Sequence, residues 1–340
     1  HVSTTVLSVK NTFERRLGIW PTGFDNDGVM YCNTTFGDYP HYIKARSNSP
    51  QGGERRTHKA LSNAGAVSRG DSFRSNNTSV GKASPNGGGL ERTEYFTGWM
   101  LLNYNKPVQV SSTLGGYVPN HAVDELAKTY WSATTGHKGE WIQTDLGNIS
   151  TVNAIQINYA DQDVSFPKEM DSIFLGKTIG LYHQYKLYYS TDGKKWFLLV
   201  DKSNNKKDVP HDYVELEKPV RARFIKLENM HMPTGKFAIS GFRVFGNANG
   251  AKPEPVKNFI VLRTEQDKRS AFIKWRPVDN AFAYNIYYGT HPEKLYTSIM
   301  IHANNEYWLK TMDSQKTYYF TIESINENGV SERTPVFKSE

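Results

Sequence analysis

The sequence predicts an all-β protein built from several modules, and three observations carry that reading. Aromatic residues make up 13% of the 340 residues. Apolar residues fall in short runs rich in Val, Ile, Tyr, Phe and Thr, bounded by Gly, Asn, Asp and Pro, which is the pattern of strands and turns. No stretch sustains a 3.6-residue period, and one short turn at 122–129 is the only helical signal. A chain of this length exceeds what one hydrophobic core usually serves, so two or three domains are expected.

The clearest strands are 152–159, 185–191, 195–201, 212–216, 221–228 and 237–245. Ile155, Ile157 and Tyr159 alternate with Gln156 and Asn158, so one face is expected to be buried and the other wet. Asp192-Gly193 separates two such runs and marks a tight hairpin turn. Pro253 and Pro255 mark a joint, and the tail beyond them has the size of one small sandwich. Short strands at regular spacing argue for antiparallel sandwiches or barrels.

Charge is unevenly distributed. The chain holds 41 Lys and Arg against 34 Asp and Glu, a net charge of +7, with a pI near 9.1. Residues 44–93 hold 9 of the basic residues against 3 acidic ones, so the rest of the chain carries only +1. That stretch has 8 Gly and 8 Ser and too little apolar surface to offset the entropy of ordering it. Residues 44–96 are therefore read as an irregular or disordered basic linker or insertion between modules. Its cations are scattered without interleaved aromatics, which disfavours nucleic acid as a partner. Cys32 is the single cysteine, which excludes an intrachain disulfide and a zinc site built from cysteines. No apolar run approaches the ~18 residues of a transmembrane helix, and mean hydropathy is −0.61. The first residue is His1 and no charged-then-apolar leader follows it, so sequence upstream is expected to have been removed.

The middle of the chain carries a specific set of motifs. They are Asn105-Lys106-Pro107-Val108, Ala122-Val123-Asp124 and Thr129-Tyr130-Trp131-Ser132, then Glu140-Trp141-Ile142-Gln143-Thr144-Asp145-Leu146-Gly147. Ser190-Thr191-Asp192-Gly193-Lys194-Lys195-Trp196, Arg223-Phe224-Ile225-Lys226-Leu227 and Gly241-Phe242-Arg243-Val244-Phe245-Gly246 complete the set. In this order and spacing, residues 97–248 resemble the coagulation-factor-5/8 type C (discoidin) domain, which includes the family 32 carbohydrate-binding modules. The resemblance implies an eight-stranded discoidin jelly-roll sandwich. Trp131, Trp141 and Trp196 are expected to fill the space between its sheets.

In that family one rim of the sandwich binds ligand through its loops, here 111–121, 134–139, 160–184 and 229–236. A sugar needs an aromatic face for the apolar side of its ring and planar polar groups for its hydroxyls. Tyr117, His121, Asp161, Asp163 and His183 are the candidate ligand-binding residues, each with a structural role as the competing reading. Galactose-binding members place an Arg in the third of these loops; residues 160–184 contain none, which argues against galactose held in that form. The resemblance also implies a structural calcium ion (Ca2+), with Asp124 and Thr129 at the usual ligand positions. The family's late Glu aligns with Gly241, which removes one carboxylate from a site that wants several oxygens. Zinc has less support, because no His pair falls at ligand spacing.

The two ends complete the expected architecture. Residues 253–340 resemble a fibronectin type III domain, with Trp275 in its core and Tyr318 as its tyrosine corner, which implies a seven-stranded sandwich acting as a spacer. Residues 1–43 look like the C-terminal blade remnant of the five-bladed β-propeller in family 43 glycoside hydrolases. That resemblance implies an upstream catalytic propeller holding the three catalytic carboxylates. Asp25 and Asp27 read as turn residues, and no catalytic residue is assigned. A lone blade cannot enclose a substrate, so this chain alone is expected to hydrolyse nothing.

The expected function is non-catalytic binding of a polysaccharide or oligosaccharide, as an accessory portion of a secreted bacterial glycoside hydrolase. Its expected location is secreted, periplasmic or at the surface of a polysaccharide-degrading bacterium. The alternatives are part of an active arabinosidase, xylosidase or galactofuranosidase, and a protein or membrane adhesion module. A membrane partner has weak support, since the loop tips carry few apolar residues.

Overall fold

The computed structural model describes residues 3–6, 14–17, 22–25, 27–32, 36–37, 39–44, 58–60, 93–165 and 181–339. Seven strands precede the middle unit: β1 (Ser3–Val6), β2 (Glu14–Leu17), β3 (Thr22–Phe24), β4 (Met30–Cys32), β5 (His41–Lys44), β6 (His58–Ala60) and β7 (Thr93–Phe96). β1 pairs with β2, β3 pairs with β4, and β5 lies between β6 and β7, all antiparallel. No sheet among the described residues is closed or curled, and a propeller blade takes four strands. The β-propeller remnant expected at 1–43 is therefore corrected to two hairpins and a small three-stranded sheet. Most of the expected linker, 45–57 and 61–92, lies outside the described residues.

Asp25 does act as a turn residue. Its Oδ1 accepts the backbone N–H of Asp27 at 2.9 Å and of Val29 at 2.8 Å, a local bond that favours turns over strands. The same carboxylate reaches the tail, where it meets Lys294 Nζ at 2.8 Å and accepts the Tyr296 hydroxyl at 3.0 Å. The Lys294 ammonium holds its pKa down to about 2.

The middle unit contains β8 (Met100–Leu101), β9 (Val108–Val110), a 3-10 turn (Pro119–Ala122), β10 (Trp131–Ser132), β11 (Trp141–Tyr159), β12 (Gln184–Ser190), β13 (Phe197–Asp201), β14 (His211–His231) and β15 (Ala238–Asn247). The eight strands follow the order β10-β15-β11-β14-β12-β13, with β8 on β15 and β9 on β11. Two strands are long enough to serve both layers of a sandwich. β11 and β14 pair antiparallel from Trp141↔Glu228 to Asn158↔His211, with register shifts between Asp145 and Ser150 and between Val152 and Ala154. Such irregularities bend a strand and increase its twist. The first half of β11 joins β9 and the second half of β14 joins β12, forming a front layer. The second half of β11 joins β15, forming a back layer. Trp131, Ile142, Ile155, Ile157, Tyr185, Leu187, Ile225, Leu227 and Phe242 fill the space between. This is the discoidin-like jelly-roll sandwich expected for 97–248. Of the three tryptophans assigned to its core, only Trp131 is there; Trp141 and Trp196 are half-exposed.

The tail contains β16 (Lys257–Arg263), β17 (Ala271–Arg276), β18 (Ala283–Gly289), β19 (Thr297–His302), β20 (Glu306–Leu309), β21 (Tyr318–Asn326), β22 (Gly329–Val330) and β23 (Phe337–Ser339). β16, β17 and β20 form one sheet; β18, β19, β21, β22 and β23 form the other. The expected seven-stranded sandwich is thus corrected to eight strands in sheets of three and five. Trp275 is buried with its ring 5.0 Å from that of Tyr284. The hydroxyl of Tyr318 accepts the backbone N–H of Asp313 at 2.8 Å.

A third core joins head, middle and tail. Tyr39 from the head, Leu101, Ala154 and Phe245 from the middle, and Ala283 and Ile325 from the tail are all buried in it. At its edge Phe36 and Phe96 stack with centroids 3.8 Å apart. It also explains why the alternation in β11 fails to give a wet face. Gln156, on the outward side, is buried because Arg243 and the residues around it cover that face. Arg243 is 4% exposed. It donates to both Glu125 oxygens at 2.9 and 2.8 Å and to Gln156 Oε1 at 2.9 Å. Its guanidinium lies 4.9 Å from the Phe245 ring and 5.8 Å from that of Tyr39.

Removing one partner of a buried ion pair strands the other charge. Arg243→Ala or Glu125→Ala is expected to destabilise the chain by about 3–5 kcal/mol, and replacing both by Met to cost less than either. Urea unfolding of the three variants measures this.

Candidate functional site

The sandwich brings four described loop segments to one end. Residues 111–112 sit beside the start of β11, where Ser111 N–H donates to Trp141 O at 3.0 Å. Residues 135–139 lie along the end of β14, with Gly139 N–H on Asn229 O at 2.9 Å and Asn229 Nδ2 on the carbonyls of Gly136 and His137. Lys236 N–H donates to Gln162 O at 2.9 Å, which ties the β14–β15 loop to residues 161–163. The rest of the third loop, 166–180, lies outside the described residues.

Glu140 organises the first two of these segments. Its carboxylate accepts the hydroxyls of Ser111, Ser112 and Thr135, with Thr135 at 2.6 Å. Burial pushes its carboxyl up, but the three hydroxyl donors outweigh burial and leave it below the ordinary value. Glu140 stood in the sequence as part of a strand motif. Its role was not legible there, because its partners lie 5, 28 and 29 residues away.

The described rim presents two tyrosine rings followed by a polar row. Tyr117 and Tyr130 lie with ring centroids 4.8 Å apart. Burial, then a hydrogen bond with Tyr117, pushes the Tyr130 phenol up. Tyr130 donates its hydroxyl to Gln162 Oε1 at 2.7 Å, and Gln162 Nε2 donates to Asp163 Oδ1 at 2.8 Å. The other Asp163 oxygen pairs with Lys236 Nζ. That ammonium holds the Asp163 carboxyl below its usual value. Asp163 has φ of 53°, and Gly235 facing it has φ of 74°. A Cβ on Gly235 would sit 2.4 Å from Gln162 O, so only glycine lets the two loops close.

The candidate residues separate on this geometry. Tyr117 and Asp163 stand at the two ends of the row. Asp161 precedes it in the same loop. His121 closes the 3-10 turn Pro119–Ala122, and no described contact joins it to the row. His183 lies beneath the rim: it is 2% exposed and stacks on Tyr159 with centroids 3.8 Å apart. Burial, reinforced by His231, lowers its pKa to about 3, so the ring is neutral. Tyr130, Gln162 and Lys236 join the site instead; Gln162 and Lys236 fell inside the predicted loops, and Tyr130 sat unmarked beside Trp131.

Asp124 and Thr129 do come together. The Thr129 hydroxyl donates to Asp124 at 2.8 Å, and Leu126 N–H donates to it at 2.9 Å. Calcium takes six to eight oxygens. Among the described residues no group of three or more His, Cys, Asp and Glu could hold a metal, and Gly241 packs against the Asn158 side chain. Asp124 and Thr129 supply two side-chain oxygens of such a set.

Comparison with known proteins adds one family. A family model described as NedA-like, galactose-binding domain matches residues 121–227. The chain is similar to chitosan-binding module 1 of a chitosanase/glucanase from Paenibacillus sp. IK-5, at 20% identity and TM-score 0.35, over 43% of this chain and 99% of that one. It is similar to CpGH89CBM32-4 of Clostridium perfringens in complex with GlcNAc-α-1,4-galactose, at 13% identity and TM-score 0.35, over 44% and 96%. It is also similar to the family 32 module of Clostridium perfringens NanJ in complex with galactose, at 16% identity and TM-score 0.32, over 41% and 92%. None of the curated proteins matches the chain. The family match lies wholly within the middle unit. It gives no support to the family 43 hydrolase expected at the head or to the fibronectin type III domain expected in the tail, and both assignments are withdrawn. Among the described residues no helix is long and apolar enough to cross a membrane.

His183 is neutral when folded and titrates near pH 6.5 when unfolded, so the unfolded state binds more protons below that pH. Its contribution to stability is intact above about pH 6.5 and falls with pH toward about 3. The loss reaches about 2 kcal/mol by about pH 5, and His183→Phe should remove that part of the pH dependence in urea titrations. Adding Ca2+ or EDTA should move the melting temperature by no more than about 1 °C, read by differential scanning calorimetry.

Proposed function

We propose that the chain is a non-catalytic carbohydrate-binding portion of a secreted bacterial protein that acts on glycans. The rim holds the sugar and keeps a catalytic domain elsewhere in the same protein near its polymer. The observation that supports this most is the match of residues 121–227 to a galactose-binding family on a sandwich whose loops present a tyrosine pair beside a polar row. A tyrosine face takes the apolar side of a pyranose ring, while Gln162, Asp163 and Lys236 offer donors and acceptors to its hydroxyls. A shallow rim of this kind binds and releases without chemistry. Lys236 offers a sugar single-point contacts, where Arg would give a planar fork.

Affinity gel electrophoresis of the full chain against neutral glycans, with a glycan array to choose them, tests the reading. Tyr117→Ala and Asp163→Asn should each weaken retention about tenfold. Because Lys236 holds the Asp163 carboxyl down, retention should stay level from about pH 8 to about pH 5 and decline only as the carboxyl protonates below its ordinary value. Failure of every neutral glycan to retain the chain, or equal retention of both variants, would overturn the reading.

A further inference from the structure

The outer face of the front layer carries a row of side chains that neither the core nor the rim uses. Strand register aligns it: Gln109 lies opposite Gln143, Gln143 opposite Lys226, Lys226 opposite Tyr188, and Tyr188 opposite Leu198. Strands sit about 4.8 Å apart, so the row runs about 19 Å across five strands. That length suits an extended chain better than a single small molecule. Trp196, just before β13, adds its ring to the row.

Lys226 is the centre of this surface. Its ammonium lies 4.4 Å from the Trp196 ring centroid and 5.2 Å from that of Tyr188. The neighbouring cations are committed, Lys186 to Asp201 at 3.2 Å and Arg223 to Asp145 at 2.8 Å. Among the described residues Lys226 has no carboxylate partner; its contacts are the two rings. Leu198 is 54% exposed, and both tryptophans on this side of the sandwich, Trp141 and Trp196, are partly exposed. A lysine held over aromatic rings and not over a carboxylate keeps its charge available to an anionic ligand.

We propose that this face is a second carbohydrate site, separate from the rim, for a glycan chain that bears carboxylates. Trp196 and Tyr188 take the apolar faces of sugar rings, Gln143 and Gln109 bond to hydroxyls, and Lys226 pairs with a uronate carboxylate. Gln143 and Gln109 already approach each other at 3.5 Å, which orients two planar amides toward one line. Nucleic acid fits less well. It needs several uncommitted cations for successive phosphates, and the row offers one, Lys226. The +7 net charge plays no part, because its excess lies in 44–93.

The test is affinity electrophoresis of the full chain in gels containing polygalacturonate, dextran sulfate, single-stranded DNA or a neutral galactan. Polygalacturonate should retard the chain, Lys226→Gln and Trp196→Ala should each weaken that retention about tenfold, and the rim variant Asp163→Asn should leave it unchanged. Lys226→Gln removes a charge from an outward-facing side chain, so an unchanged melting temperature separates lost binding from lost folding. Equal retention of wild type and both face variants would overturn the proposal, as would no retention by polygalacturonate. Retention by dextran sulfate alone, or equal retention by single-stranded DNA, would also overturn the carboxylate-glycan assignment. The rim reading is scored separately, on the neutral glycans and the Tyr117 and Asp163 variants, so either site can fail alone.

Discussion

The antiparallel ladder between β11 and β14 is the constraint on which the middle unit rests. Each strand crosses from one layer of the sandwich to the other, and their pairing continues through the bend. A sheet of separate short strands would need the two layers to find each other through side chains alone. Here the same backbone hydrogen bonds fix both layers, and the core forms between them. The ladder also sets what lies at its end and on its face. Trp141 and Glu228 close one end beneath the rim loops, while Gln143 and Lys226 face outward in the middle of the front layer.

Around that ladder, charged groups are buried only where their hydrogen bonds are satisfied. Arg243 is covered by the junction of head, middle and tail, and Glu125 and Gln156 together take up its donors. Glu140 is held by three hydroxyls. Asp212 receives Tyr185 and Lys202. The energetic reason is common to all: an unpaired charge or polar atom in a low-dielectric interior costs more than a new bond returns. Each of these groups therefore acts as a clamp between segments far apart in sequence. His183 is a buried ring with neither nitrogen hydrogen-bonded among the described residues, and it is tolerated because the ring stays neutral against Tyr159.

The two surfaces on the sandwich use different physics. The rim is made of loops, whose positions depend on tight backbone approaches such as that between Gly235 and Gln162. The face is made of strand residues, whose spacing is fixed by the ladder itself. A loop rim offers shape selectivity for a chain end or a branch, whereas a flat row of rings and amides offers length. The two sites would take different stretches of glycan, neutral at the rim and carboxylate-bearing on the face.

By itself the sequence determined the all-β class, because alternation and turn residues are local signals; the sandwich at 97–248 was implied by the order of its motifs, and the 19- and 21-residue lengths of β11 and β14 emerged only in the fold. It also placed Tyr117 and Asp163 in loops at one end, and Asp25 in a turn. It misplaced Trp141 and Trp196, since alternation says that two faces differ but not which one the core will take. It gave Gln156 a wet face, because nothing local shows that a second module will cover that side. It assigned a propeller and a fibronectin-like domain to the ends from short motifs, where strand pairing and strand number gave other arrangements. Tertiary structure alone decided that Glu140 would bind three hydroxyls and that His183 would be sealed beneath the rim. It also decided that Lys226 would lie between Tyr188 and Trp196. Those outcomes depend on which distant segments meet, and that is set by the register of β11 on β14 and by the packing of three modules around Arg243.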